Sequence, residues 1–251
     1  MSSSQEINNA RFNEEALIWD ANKKHVDVVE TAFEALQRYV PALKDGTSKK
    51  YDVLELGCGT GLLSFKLAPH VRSIVGIDTA DGMINAFNAK LASLPDPSKP
   101  NLCAINHLLT SADSPALQGA AAALATQRGE TSSPPYRFDL IVSHLTLHHI
   151  PSLPELFATL QDCLKHGGTI ALSDFEDFGP EAKRFHPLKK RPGVERHGIQ
   201  KENIEELLLG TGFNEVRVER LCAITKWAEA EDGKVAEDLE FPMLMCVGVK
   251  S

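Results

Sequence analysis

A glycine-rich segment, VLELGCGTG (residues 53–61), joins a short apolar run to a helical pattern. Glycines at 57, 59 and 61 let the backbone turn sharply and approach a ligand closely, because no side chain intervenes. Nucleotide-binding Rossmann domains share such a loop, but their dinucleotide form reads G-x-G-x-x-G, whereas position 62 here is leucine. Glu55, on the strand before the loop, suits a positively charged ligand group better than a pyrophosphate. The segment therefore predicts a strand–loop–helix binding site that does not hold a dinucleotide.

Strands and helices alternate after residue 50. Strands are predicted at 51–57, 71–77, 102–109, 138–143 and 167–175, and helices at 60–68, 81–94, 115–126, 154–164 and 201–209. Such alternation implies a doubly wound parallel sheet with helices on both faces. The last two predicted strands, 213–224 and 241–250, are separated only by the acidic segment WAEAEDGKVAED, so we expect them to pair as an antiparallel hairpin at the sheet edge.

The first forty residues carry two apolar stripes at helical spacing, one around Phe12 and Trp19 and one from Val26 to Val40. Pro41 and Gly46 end the second helix. With 251 residues in the chain, we expect a helical lid over residues 1–46 packed on one α/β domain, residues 47–251.

Composition limits the classes of partner. The formal net charge is −8, which opposes binding to nucleic acid. No apolar run approaches the ~20 residues of a membrane helix, and the start of the chain lacks the pattern of a signal peptide. The five cysteines show no C-x-x-C pair, which disfavours a disulfide framework or a zinc site. We therefore expect a cytoplasmic protein, with a nuclear location and the oligomeric state left open.

A second motif, VGIDTADGM (75–83), follows the glycine-rich loop. Asp78 stands at the carboxyl end of the second predicted strand, where a carboxylate can accept both hydroxyl protons of a ribose. Capping of the next helix is the alternative role, for which Asp81 is better placed. Together with the loop, Asp78 indicates a ribose-containing ligand.

Four segments in order, VLELGCGTG, VGIDTADGM, FDLIVSHLTLHHI (138–150) and LKHGGTIALSDF (164–175), resemble the motifs of class I S-adenosylmethionine-dependent methyltransferases. The resemblance covers about residues 50–250. It implies a seven-stranded sheet of order 3-2-1-4-5-7-6 with strand 7 antiparallel, and S-adenosylmethionine as cofactor, leaving S-adenosylhomocysteine as product. The cofactor contacts that it implies are Glu55, Gly57, Cys58, Gly59, Gly61, Asp78, Thr79 and Met83.

Three further cofactor contacts are predicted less directly. The family often has an aspartate directly after strand three, where this chain reads LLTSADSP; Asp113 is favoured for the adenine edge, with Ser111 as the alternative. Ser143, at the end of the fourth predicted strand, is also included among the candidate contacts. FNEEALIWD (12–20) resembles the opening of small-molecule methyltransferases whose first helix covers the cofactor, so Trp19 is either part of a lid or ordinary core.

Histidines cluster after the fourth strand, at the edge where open α/β sheets bind ligands. His148 or His144 is a candidate to bind the acceptor or take its proton; the alternative is that they form the pocket wall. If the chain is helical here, His144 and His148 face one way and His149 faces the protein body. His197, in an HGI segment that resembles a His-Gly-Phe of the same relatives, is a third candidate. The insert that carries it, 177–200, holds several Lys and Arg residues that either steer an anionic substrate or form a solvated loop.

These features favour in-line methyl transfer to an O, N, S or C atom of a small molecule. A protein methyltransferase of the same fold and a non-catalytic cofactor-binding module are the alternatives. No metal is expected, because no acidic residue lies among the three histidines. The sequence does not identify the acceptor.

Overall fold

The computed structural model describes residues 3–95, 100–131 and 133–251, so the first two residues of the predicted lid lie outside the described residues. The helices are α1 (Ser4–Glu15), α2 (Lys23–Tyr39), α3 (Ala42–Asp45), α4 (Leu62–Leu67), α5 (Asp81–Ala92), α6 (Pro115–Gln127), α7 (Leu153–Cys163) and α8 (Lys201–Gly210). The strands are β1 (Asp52–Leu56), β2 (Ser73–Asp78), β3 (Leu102–Asn106), β4 (Phe138–His144), β5 (Leu164–Phe175), β6 (Phe213–Ala228) and β7 (Glu237–Lys250). No helix within these ranges combines the length and apolarity of a membrane span.

The seven strands form one sheet of order β3-β2-β1-β4-β5-β7-β6, which confirms the predicted topology. Strands β1 to β5 run parallel to one another, and β7 is antiparallel to both β5 and β6. The carboxyl ends of β1, β2, β4 and β5 therefore meet at one edge of the sheet. Loops that follow these strands are brought together there.

Helices cover both faces of the sheet because successive strand side chains point to opposite sides. Leu54 belongs to a cluster with Phe157 of α7 and Leu208 of α8. Its neighbour Val53 belongs to a second cluster with Leu36 of α2 and other residues of α4 and α5. Helix α2 is thus part of the core, whereas α1 and the 3₁₀ helix Ala16–Ala21 lie outside both of these clusters.

The final hairpin is longer than predicted. The acidic segment was expected to separate the strands, yet β6 continues to Ala228 and β7 begins at Glu237. Asp and Glu have low strand propensity, but here they occupy exposed positions of a two-stranded ribbon, with Lys226 opposite Leu239 and Ala228 opposite Glu237. Since β5 pairs with β7 only as far as Met243, this part of the hairpin projects beyond the ligand-binding edge.

Arg184, on the 3₁₀ helix Ala182–Phe185, fastens the insert after β5 to the projecting hairpin. The side chain is buried; Nη1 contacts Glu181 at 2.9 Å and Glu237 at 3.0 Å. Nη2 donates to the carbonyls of Glu229 and Val235 at 3.2 and 2.6 Å. One guanidinium thus holds both segments over the same edge of the sheet.

We predict that Arg184→Met lowers the free energy of unfolding by about 2–3 kcal/mol, because the apolar stem remains but its buried polar contacts are lost. Asp27→Ala is the control, since it removes an exposed ion pair with Lys23 and should change stability by less than about 0.5 kcal/mol. Urea denaturation of both variants provides the comparison. Equal stabilities would show that Arg184 does not fasten the hairpin.

Candidate active site

A cavity of about 490 Å³ lies at the carboxyl edge of the sheet, within the size range of small-ligand sites. Loops after β1, β2, β3 and β4 line one part of it, and α1, the start of α2, the insert after β5 and the end of β6 line the rest. The predicted cofactor contacts that line it are Trp19, Glu55, Gly57, Cys58, Gly59, Asp78, Thr79 and Met83.

The glycine-rich loop forms the floor of this cavity. The N–H groups of Gly57 and Cys58 donate to the carbonyl of Ile77 at 2.8 and 3.0 Å, so β2 fixes the loop. Gly57 has φ +70°, and a Cβ there would lie 2.2 Å from Thr146 Oγ1. Only glycine therefore allows the loop after β4 to approach this closely.

Two carboxyl groups line the cavity at the ends of β1 and β2. Asp78 accepts from the N–H groups of Gly59 and Ala80, both at 2.9 Å; burial nevertheless raises its pKa. Burial raises the pKa of Glu55 to about 8, despite a hydrogen bond from Ser64 and with a further contribution from the charge of Asp78. A ligand with a cationic group near Glu55 and hydroxyl groups near Asp78 would offset this burial. Both carboxyls fit the ammonium and ribose of S-adenosylmethionine.

Three predicted cofactor contacts do not line the cavity. Gly61 lies behind the loop, where a Cβ would lie 2.5 Å from the Phe87 ring, so its role is packing. Ser143 is buried and donates to the Leu56 carbonyl at 2.8 Å. Asp113 is exposed and forms an ion pair with Arg137 at 2.8 Å. These three residues therefore lie outside the cavity lining.

Ser111, the alternative residue for the adenine edge, also lies outside the cavity lining, and its hydroxyl accepts from the N–H of Asp113. Strand β3 ends at Asn106, earlier than the predicted 109. The loop that follows places His107, Leu108 and Leu109 in the cavity wall. The apolar residues up to 109 predict a longer strand, and the sequence therefore does not indicate that these three residues line a cavity.

Helix α1 lies against α5 beside the cavity. Thr79 Oγ1 contacts Asn9 Oδ1 and Gln5 Nε2, both at 2.8 Å. The N–H of Gly82 donates to Asn13 Oδ1 at 2.7 Å. A Cβ on Gly82 would lie 2.8 Å from Asn13 Cα, so the glycine permits this contact. The polar face of α1 is thus fitted to the helix that follows the Asp78 loop.

Trp19 lies on the 3₁₀ helix Ala16–Ala21, which follows α1, and it also lines the cavity. Its ring centroid lies 3.9 Å from that of His25 and 5.7 Å from that of Phe12. The Phe12 ring in turn lies 5.5 Å from His149. The aromatic side chains of the N-terminal segment therefore link the cofactor loops to the histidines after β4.

His148 is hydrogen-bonded to the buried carboxylate of Asp174 on β5. Its Nδ1 lies 2.7 Å from Asp174 Oδ1, and its backbone N–H donates to Oδ2 at 3.0 Å. Burial tends to raise the pKa of Asp174, but the interaction with His148 and the backbone N–H groups of Phe175 and His148 outweigh it and lower that pKa. The carboxylate accepts only, so Nδ1 carries the proton. No acidic residue lies among these histidines in the sequence, but in the folded chain β5 places Asp174 beside His148.

Two neighbouring histidines of the cavity, His144 and His149, are held neutral. Burial lowers the pKa of His144 to about 4 and that of His149 to about 3. His149 lines the cavity instead of facing the protein body as expected. His186 joins the cluster, its ring centroid 5.2 Å from that of His148. His197 lies 6.2 Å from His186 but does not line the cavity.

Known proteins similar to this chain are methyltransferases. A family model described as a methyltransferase domain matches residues 24–218. An uncharacterized methyltransferase of Schizosaccharomyces pombe is 30% identical over 149 residues, 58% of this chain and 47% of that protein. A malonyl-[acyl-carrier protein] O-methyltransferase of Ilyobacter polytropus is 28% identical over 132 residues, 52% of this chain and 40% of that protein. The chain spans less than half the length of these relatives.

Among solved structures, magnesium protoporphyrin IX methyltransferase from Synechocystis, with bound S-adenosylmethionine, superposes with a TM-score of 0.60. The alignment covers 100% of this chain and 99% of that chain at 16% identity. This likeness shows the shared fold.

We predict that Gly82→Ala weakens S-adenosylhomocysteine binding about tenfold, because the new methyl group meets the backbone of α1. Gly119→Ala is the matched control, since a Cβ there has no neighbour within 4 Å in helix α6. Isothermal titration calorimetry measures both affinities. If both variants bind like the wild type, α1 does not contribute to the cofactor site.

Proposed function

The chain belongs to the methyltransferase-domain family, and on that premise we propose that it uses S-adenosylmethionine to methylate an O, N, S or C atom of a small molecule. The observation that carries the proposal is the Asp174–His148 pair in a cavity that also contains the glycine-rich loop. A base and a cofactor site in one enclosure suit transfer between two small molecules.

The covering segments support a small acceptor. Helix α1 and the insert after β5 meet through Asn8, whose Nδ2 donates to the Gly193 carbonyl at 2.6 Å, and through Arg11, which donates to the Lys190 carbonyl at 2.8 Å. A long polypeptide acceptor would have to displace these contacts. We retain the predicted division into a lid, residues 1–46, and a methyltransferase domain, residues 47–251, as part of the proposal.

The cofactor supplies an electrophilic methyl carbon when bound. We assign its ammonium to Glu55 and its ribose to Asp78, with Gly57, Cys58 and Gly59 beneath it and Met83 and Thr79 beside it. Leu108 and His107 take the adenine position that Asp113 was expected to occupy. These residues position the cofactor, and desolvation in the covered cavity favours a reaction that disperses charge.

His148 acts as the general base. Because Nδ1–H donates a hydrogen bond to Asp174, Nε2 is the ring nitrogen that offers a lone pair. An acceptor X–H gives its proton to Nε2 as X gains the methyl group, and the Asp174 carboxylate stabilises the imidazolium that forms.

The neighbouring histidines are poorer bases. The lowered pKa values of His144 and His149 mean that neither ring holds a proton well at neutral pH. His144 Nδ1 also lies 2.8 Å from Ser173 Oγ, which fixes the ring against β5. We therefore place His144 and His149 in the cavity wall, and we no longer include His197, which lies outside it, among the catalytic candidates.

We predict that His148→Ala lowers kcat about 10²–10⁴-fold at saturating cofactor. Asp174→Asn should lower kcat by more than tenfold, because the amide no longer holds the proton of His148 on Nδ1. S-adenosylhomocysteine affinity should change little in either variant. His70→Gln, a histidine outside the cavity, is the control. Transfer from labelled S-adenosylmethionine to a deproteinised metabolite extract is the assay.

Near-normal kcat in His148→Ala would refute the role of base. Label that appears only in a protein extract would instead support a protein methyltransferase. Cofactor binding without transfer to either extract would support the non-catalytic module.

A further inference from the structure

Basic side chains line the part of the cavity that lies away from the glycine-rich loop. They are Arg11, Lys24, Lys190 and Lys226. Glu15 is the acidic residue in that lining apart from the two cofactor carboxyls, and it pairs with Lys190 at 2.5 Å. The chain as a whole has a net charge of −8, so this local excess of positive charge is opposite to the overall balance.

Lys226 is the basic residue of this group that lies on the final hairpin, and its side chain is half-buried. It lies on the projecting end of β6, where Nζ donates to the Phe185 carbonyl at 2.5 Å and lies 3.8 Å from the centre of the Phe185 ring. Within the described parts of the chain, no carboxylate lies at salt-bridge distance from it. Burial and the charges of Lys190 and Lys24 lower its pKa to about 8. A cation in such surroundings is stabilised by a bound anion.

His186 offers a second polar group beside this lysine. It is 8% exposed, lines the cavity, and its Nδ1 has no hydrogen-bond partner among the described residues. Burial lowers its pKa, so the ring is neutral and can donate one hydrogen bond. A buried polar atom without a partner is uncommon in folded proteins, and here it is adjacent to the proposed base.

We propose that Lys226 and His186 bind an anionic oxygen group, a carboxylate or a phosphate, on the acceptor. The inference rests on the proposed function and adds the chemical class of the substrate. Lys226 supplies the charge, His186 donates a hydrogen bond, and the atom to be methylated lies toward His148. Arg11 and Lys24 add to the attraction at longer range.

The test divides a deproteinised metabolite extract on an anion exchanger and supplies labelled S-adenosylmethionine to both fractions. Wild-type enzyme should label a compound in the retained, acidic fraction. Lys226→Met should lower kcat/KM for that fraction about 10- to 100-fold, with unchanged S-adenosylhomocysteine affinity, and Lys226→Arg should recover part of the loss. Lys189→Met removes an exposed charge from the insert that carries His186, at a position outside the cavity lining, and should behave like the wild type.

Prior treatment of the acidic fraction with alkaline phosphatase identifies the anion, since loss of labelling indicates a phosphate and retention indicates a carboxylate. Labelling confined to the unretained fraction, or full activity of Lys226→Met, would overturn the anion site while leaving small-molecule methylation intact. Absence of labelling in both fractions, with label transferred only to a protein extract, would overturn both.

Discussion

The arrangement of the candidate active site depends on one buried carboxylate, that of Asp174. It is 0% exposed and accepts from the backbone N–H of His148, the imidazole of His148 and the backbone N–H of Phe175. These three donors keep it ionised without contact with water. They also attach the loop after β4 to the end of β5, so that the orientation of the proposed base is set before any ligand binds.

The two halves of the cavity are built in different ways. The cofactor half comes from consecutive strand–loop units, with Glu55 at the end of β1 and Asp78 at the end of β2. The proposed acceptor half is assembled from distant segments: α1, the insert after β5 and the projecting hairpin. Arg184 holds the insert to the hairpin, and Arg11 holds it to α1. The two halves therefore depend on different parts of the chain.

This division explains what could be predicted from the sequence. Alternating strands and helices indicated a parallel sheet with helices on both faces, and VLELGCGTG indicated the loop, because both signals are local. The strand order came from the family resemblance and not from the alternation. Asp174 was within a recognised motif but was overlooked, since its partner His148 is 26 residues away. Lys226 was not expected at the site because the acidic residues after it have low strand propensity, so the predicted strand ended at 224 and not at Ala228. Gly61 and Asp113 were assigned by resemblance, and their actual contacts, with Phe87 and Arg137, are tertiary.

The tautomer of His148 tests the central claim most directly. Nitrogen-15 NMR of the imidazole in the S-adenosylhomocysteine complex, assigned with His148→Gln, distinguishes the two ring nitrogens. A neutral ring with the proton on Nδ1 and a free Nε2 is the predicted result, and Asp174→Asn should alter that preference. A neutral ring with the proton on Nε2 would contradict the account, because such a ring could not accept a proton from an acceptor in the cavity.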